Sequence, residues 1–294
     1  MLIAPFLALP LKLLRTFALV FLLCFGLPLL SQSPNQSDSP ADTRSQANAA
    51  LDRGVEAFKN AQFEEAVRLF TLAKSLDPSL LNAHLYLATS YASEYIPGAP
   101  TEENTQLGKL ATDAFKEVLQ IDPQNLSAID GLASILYQRA GQPFDEALFS
   151  ESKTYHQKHI ELKSQDPQPY YSIGVIDWAL SYRGNTLLRA EFNKTVDGEG
   201  LRDSDPLPEP ARSEYVRQFG ALVDEGMNSL KQAIELKPDY EDAMTYLNLL
   251  YRRKADMADS SEEREQFSNQ ADELLDHVKE IKTKKAEPAE PENK

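Results

Sequence analysis

Four stretches of the chain end alike. Residues 70–78 read FTLAKSLDP and residues 115–123 read FKEVLQIDP, and LKSQDP (162–167) and LKQAIELKP (230–238) close in a similar way. Counting back from three of the prolines, one spacing of small and apolar residues recurs. It is Ala66, Phe70 and Ala73 before Pro78; Ala111, Phe115 and Val118 before Pro123; and Gly226, Leu230 and Ala233 before Pro238. A small and a large residue four positions apart lie on one face of a helix. The small one admits a neighbouring helix and the large one fills the space beside it. Proline cannot continue the helix and forces a turn. After each proline a second apolar helix is predicted: NAHLYLATSY (82–91), SAIDGLASIL (127–136) and DAMTYLNLLY (242–251). The chain is therefore a series of helix–turn–helix units, four of them closed by proline.

These positions resemble the tetratricopeptide repeat, whose helical hairpin carries Leu-Gly, Tyr, then Ala-x3-Phe and Pro. Gly54, Phe63, Ala66, Phe70, Ala73 and Pro78 match in a first unit, and Leu87, Ala88, Tyr91, Ala111, Phe115 and Pro123 in a second. The third has Leu132 and Ala133, but Tyr155 and His159 stand where Ala and Phe are expected. The fourth, around Gly174 and Pro238, is stretched. The fifth has Leu247, Tyr251, Ala271 and Leu275 without a closing proline. The resemblance covers most of residues 47–282, in units near 47–78, 81–123, 126–167, 169–238 and 241–282. It implies an all-α, right-handed superhelical solenoid of about five antiparallel helix pairs. Twenty residues separate Tyr91 from Ala111, and Tyr251 from Ala271, about 11 more than the family pattern. Lengthening both helices by about a turn and a half would keep the packing faces. The stretch 95–106 must hold a loop, with Pro97, Gly98 and Pro100. The stretch 255–266 reads as helix end, loop and new helix, with Ser260 or Ser261 as cap.

The resemblance also implies a function. First helices line an inner groove in this family, so a protein or peptide partner is expected there. In that register Asn82, Leu85 and Thr89 face inward from the second unit, and Asp130, Ser134 and Tyr137 from the third. Tyr171 and Trp178 are the candidates from the fourth. Repeats that clamp a C-terminal carboxylate carry Lys, Asn and Arg at positions held here by Leu51, Val55, Tyr86, Ser127 and Gly131. That clamp is missing.

Composition changes this picture in two places. The 294 residues carry a net charge of −15, which argues against nucleic acid and against an anionic membrane surface, since both call for clustered Lys and Arg. The N-terminus differs from the rest. Lys12 and Arg15 precede the uncharged apolar run 16–30, and a polar stretch follows. That order reads as a secretory signal peptide or an uncleaved signal anchor over 1–31, so export to the periplasm or cell envelope is expected. Membrane contact is expected only through this segment, if it stays attached. Cys24, the sole cysteine, lies inside it, leaving no disulfide or thiolate chemistry for the exported part. Residues 32–46 read as a flexible lead-in and 283–294 as a disordered tail.

Chemistry elsewhere is sparse. His156 and His159 lie three apart on a helix, a spacing two metal ligands can share, but no third ligand accompanies them and the helix reads as solvated. Residues 197–205, DGEGLRDSD, bunch acids as a calcium loop does, without the regular spacing of an EF-hand; an exposed acidic loop is the plainer reading. Helix 170–182 concentrates Tyr170, Tyr171, Trp178 and Tyr182, which suits a recognition face and a core equally. No phosphate loop, HExxH, GxSxG or CxxCH occurs. A non-catalytic binding scaffold without cofactor or metal is therefore expected. The alternatives are a helical domain of an envelope enzyme, or a small-molecule binder using the aromatic helix.

Overall fold

The computed structural model describes residues 39–286, which belong to one compact unit. The expected signal segment lies outside the described residues. Ten α-helices make up the described chain. They are α1 (Pro40–Lys59), α2 (Phe63–Leu76), α3 (Leu81–Glu94), α4 (Glu102–Ile121), α5 (Leu126–Ala140), α6 (Glu146–Leu162), α7 (Pro167–Asn193), α8 (Ala211–Leu236), α9 (Glu241–Met257) and α10 (Ser261–Ala286). They pair as five hairpins, α1 with α2 through α9 with α10, and each hairpin stacks on the next. First helices also meet one another, α1 with α3, α3 with α5 and α7 with α9. The odd-numbered helices thus form an inner layer and the even-numbered ones an outer layer.

The repeated endings act as the sequence predicts. Helices α2, α4 and α8 each stop two residues before their proline, with Asp77, Asp122 and Lys237 donating backbone N–H groups to the carbonyls of Ala73, Val118 and Ala233. Pro167 instead opens α7, where its missing N–H costs nothing. The matched positions are core. Ala66, Phe70, Ala73, Ala111, Val118, Leu230 and Ala233 are fully buried, and Phe115 nearly so. The Phe70 ring lies over Gly54 of α1 and stacks on Tyr86 of α3 at 5.4 Å. Phe115 lies over Gly131 of α5, and Leu230 over Gly174 of α7. A Cβ at any of these glycines would run into the facing side chain.

Three boundaries differ from expectation. The lead-in to residue 46 is helical from Pro40, because Ser39 and Asp42 form a capping box and Pro40 is preorganised at the first helical position. At the other end α10 runs to Ala286, past 282, where Lys284 and Lys285 suit the negative end of the helix dipole. The extra length of the second unit is not shared by both helices. α3 has 14 residues and α4 has 20, with a loop at 95–101 between them. Asn104 holds that loop, donating to the carbonyls of Ile96 and Ala99 and accepting from the Ile96 N–H. Ser260 caps α10, its hydroxyl accepting from the Glu263 N–H at 3.1 Å.

Helix α7 is pinned by buried charge. The Lys153 ammonium of α6 meets Asp177 of α7 at 2.7 Å and Glu225 of α8 at 2.9 Å. The Asp177 side chain is fully buried, and its Oδ2 makes no hydrogen bond. Further along, Arg189 reaches Asp256 of α9 at 3.0 Å, Asn185 at 2.7 Å, and the carbonyls of Arg202 and Asp205 at 2.8 Å. That last pair ties the 194–210 insertion to the stack.

Truncating Phe70 or Phe115 to Ala is expected to cost about 3–5 kcal/mol each, the range for a fully buried Phe. Urea melts measure this, and losses below about 1 kcal/mol would mean the rings do not bridge the units. Burial raises the Asp177 pKa to about 7, against the opposing pull of Lys153. Folded Asp177 therefore holds its proton more tightly than the unfolded chain does. Its contribution to stability is complete below the unfolded value of 3.8 and is lost as the pH rises through about 7. Between pH 5 and pH 8 the urea midpoint of the wild type should accordingly fall relative to that of Asp177→Asn. An offset that stays constant across this range would contradict it.

Candidate functional site

Inner-layer packing is not uniform. α5 and α7 do not pack together as the other inner neighbours do, and a pocket of about 390 Å³ opens there. α5 contributes Asp130, Ser134 and Tyr137 to its lining, and α6 contributes His156 and His159. The start of α7 adds Asp166, Gln168, Tyr171 and Val175, and α9 adds Tyr246. The pocket lies where the third unit departs from the repeat. His159 occupies the place of Phe70 and Phe115, and a small polar ring stands where the phenyl of the first two units bridges to the next first helix.

His159 is 95% buried. Its Nδ1 lies 2.6 Å from Asp130 Oδ1, and since a carboxylate only accepts, that nitrogen carries the hydrogen. Nε2 makes no hydrogen bond; the nearest carboxylate oxygen, Asp166 Oδ2, is 3.5 Å away. Asp166 also caps α7 through the Gln168 N–H at 3.0 Å and pairs with Lys163 at 3.2 Å. Burial, aided by the neighbouring His159, lowers the His156 pKa to about 4, so that ring is neutral at physiological pH. The two histidines are thus part of a pocket wall and not of a solvated helix. Burial is what reverses that expectation. Among the described residues no group of three or more His, Cys, Asp or Glu could hold a metal ion.

Three tyrosines converge on the pocket. Tyr171 and Tyr246 meet edge to face at 5.8 Å, and Tyr137 meets Phe149 edge to face at 5.5 Å. Burial raises the pKa of each of the three phenols, with the neighbouring phenols and acids adding to it. They stay neutral and keep their hydroxyl hydrogens. Trp178 does not line the pocket; it touches Tyr246 edge-on at 5.3 Å and stacks on Tyr182 at the same distance.

Of the eight residues placed in the groove from sequence, the pocket unites Asp130, Ser134, Tyr137 and Tyr171, with Trp178 just behind. Asn82, Leu85 and Thr89 lie outside it on α3. Asn82 is exposed, Leu85 packs against the core between α4 and α5, and the Thr89 hydroxyl donates to the Leu85 carbonyl. Sequence reasoning missed Asp166, Gln168, Val175 and Tyr246. It noted His159 only as a candidate metal ligand and as a departure from the repeat, and that departure was the usable signal. Along 197–205 the Asp205 carboxylate accepts the Arg202 N–H, a local turn contact that fits the plain loop reading.

No protein-family model and no curated protein matches the chain. Several solved structures do match in fold. A crystal structure of MamA has a TM-score of 0.52 at 15% identity, over 84% of this chain and 99% of that one. MamA 41-end from Desulfovibrio magneticus RS-1 has a TM-score of 0.54 at 13% identity, over 82% and 98%. The MamA RS-1 ArsTM double mutant has 0.55 at 13%, over 83% and 98%. MamA is a tetratricopeptide-repeat protein, and at these identities the likeness is one of fold.

Proposed function

We propose that this chain, a tetratricopeptide-repeat-like solenoid by its fold, is a non-catalytic scaffold that binds a protein or peptide segment along its inner layer. The observation that carries the reading is the pocket between α5 and α7. It breaks the inner layer open, is walled by tyrosines, and includes one buried polar atom without a hydrogen bond, His159 Nε2. Tyrosine supplies broad contact area at little entropic cost and dominates binding hot spots. Export to the cell envelope belongs to the same proposal. Its support is the order of Lys12, Arg15, the apolar run 16–30 and the polar stretch after it. Among the described residues no helix is long and apolar enough to cross a membrane.

An enzyme is the second reading, and one observation favours it. Asp130 orients His159, a residue of the pocket wall, and leaves Nε2 without a hydrogen bond, as in the orienting half of a catalytic triad. A triad also needs a nucleophile on that nitrogen, and no protein hydroxyl bonds it. Labelling of Ser134 or Ser172 by a fluorophosphonate probe would overturn the non-catalytic reading.

Substituting Tyr137 with Ala should weaken partner binding by about 1–3 kcal/mol, as for an interface anchor, with the helical circular dichroism unchanged. Trp178→Ala should lower thermal stability as well as affinity, because its ring packs between Tyr182 and Tyr246 against the C-terminal core. A pull-down from envelope extract supplies the partner for titration. Unchanged affinity in a folded Tyr137→Ala variant would remove the support for this groove. For export, cell fractionation with N-terminal sequencing decides: a soluble, full-length cytoplasmic protein would sink that part of the proposal.

A further inference from the structure

We infer that the pocket between α5 and α7 receives the cationic side chain of the bound peptide, an arginine in preference to a lysine. This rests on the groove reading above and names the chemistry of its partner. Asp130 and Asp166 bring two carboxylates to the lining, and no Lys or Arg belongs to it. Lys163 pairs with Asp166 at 3.2 Å and offsets it in part, but its side chain is more than half exposed, where solvent screens the pair. With His156 neutral, His159 is the only group of the lining able to add positive charge. A doubly protonated His159 would offset only one of the two carboxylates of the lining.

Shape and hydrogen bonding narrow the choice. The edge-to-face pair of Tyr171 and Tyr246 presents an aromatic face, whose negative quadrupole attracts a cation. A planar guanidinium stacks on such a face while its N–H fork reaches a carboxylate, which a compact ammonium cannot do equally well. In the neutral ring, His159 Nε2 is a buried acceptor without a donor, since Nδ1–H is committed to Asp130. A buried acceptor left without a donor is costly, and a guanidinium N–H supplies what it lacks. An apolar side chain would leave Nε2 unpaired, and an acidic one would face two carboxylates and the ring faces. The formal charge of −15 also steers basic segments towards the protein.

The test begins by panning a phage-displayed random peptide library on the purified protein, with the Tyr171→Ala/Tyr246→Ala double variant as counter-selection. Circular dichroism checks that variant. Ser134→Trp, which fills the pocket from an exposed position on α5, replaces it if helix content falls. Pocket-dependent peptides should be enriched in arginine. A synthetic copy of the best one is then titrated against Trp178 fluorescence, the only tryptophan of the chain. Citrulline, which keeps the shape of arginine and drops its charge, should bind about tenfold more weakly, an energy of about 1.4 kcal/mol. Asp130→Asn and Asp166→Asn should each weaken the arginine peptide several-fold and leave the citrulline peptide unchanged. Pocket-dependent peptides without a basic residue, or equal affinity for arginine and citrulline, would overturn the cation inference and leave the groove standing. A selection with no pocket-dependent peptide at all would overturn both.

Discussion

In each well-formed unit a bulky side chain of the second helix is seated where a first helix has no side chain. Phe70 sits over Gly54, Phe115 over Gly131 and Leu230 over Gly174. A glycine inside a helix costs about 0.5–1 kcal/mol in backbone freedom. That cost is offset several-fold by burying a phenyl ring. The ring then does two jobs, since Phe70 also stacks on Tyr86 of the following hairpin. It closes its own unit and seats the next. The described chain contains no cysteine, so stacking must come from such contacts, each of which links only neighbours.

The candidate site is the exception to that contact. In the third unit the bridging position holds His159. Its ring turns to Asp130 on α5 and fills less of the space towards α7. The inner layer then opens and the pocket results. α7 is still joined to the third unit by an apolar cluster of Ala140, Phe149, Ile176 and Leu180, and polar ties add to it, Lys153 with Asp177 and Glu225, and, towards α9, Arg189 with Asp256. Buried ion pairs add little net stability against apolar packing, but removing one partner is costly. They fix α7 at a set position, and with it one wall of the pocket.

Most of the fold was legible because the repeat writes it in residue type. Small and large residues at fixed spacing, closed by proline, located the second helices, and the buried positions agree with them in three units. The legible part of the site was its face: the register put Asp130, Ser134, Tyr137 and Tyr171 on one side, and the structure gathers them. The rest was hidden for two reasons. Asp166, Val175 and Tyr246 reach the pocket through tertiary placement of α7 and α9, which no local spacing encodes. The role of His159 was masked because a departure from a repeat looks the same whether it is drift or a site. Capping chemistry was also under-read: Ser39, Pro40 and Asp42 sit in a polar stretch, and composition outweighed a local signal that starts α1.

Helix α7 shows why composition could not separate core from recognition. Its aromatic residues divide by direction along one helix. Tyr170 donates to the Ser164 carbonyl and packs on the C-terminal core, Tyr171 turns into the pocket, and Tyr182 is partly exposed beneath the Arg253 guanidinium. Trp178 belongs to both sides, since the ring that packs on the core also backs Tyr246. Tyr246 in turn meets Tyr171. An unbroken line of ring contacts therefore runs from the core to the pocket wall. A side chain held from behind has little freedom left to lose, and so one aromatic helix serves the core with one face and the pocket wall with another.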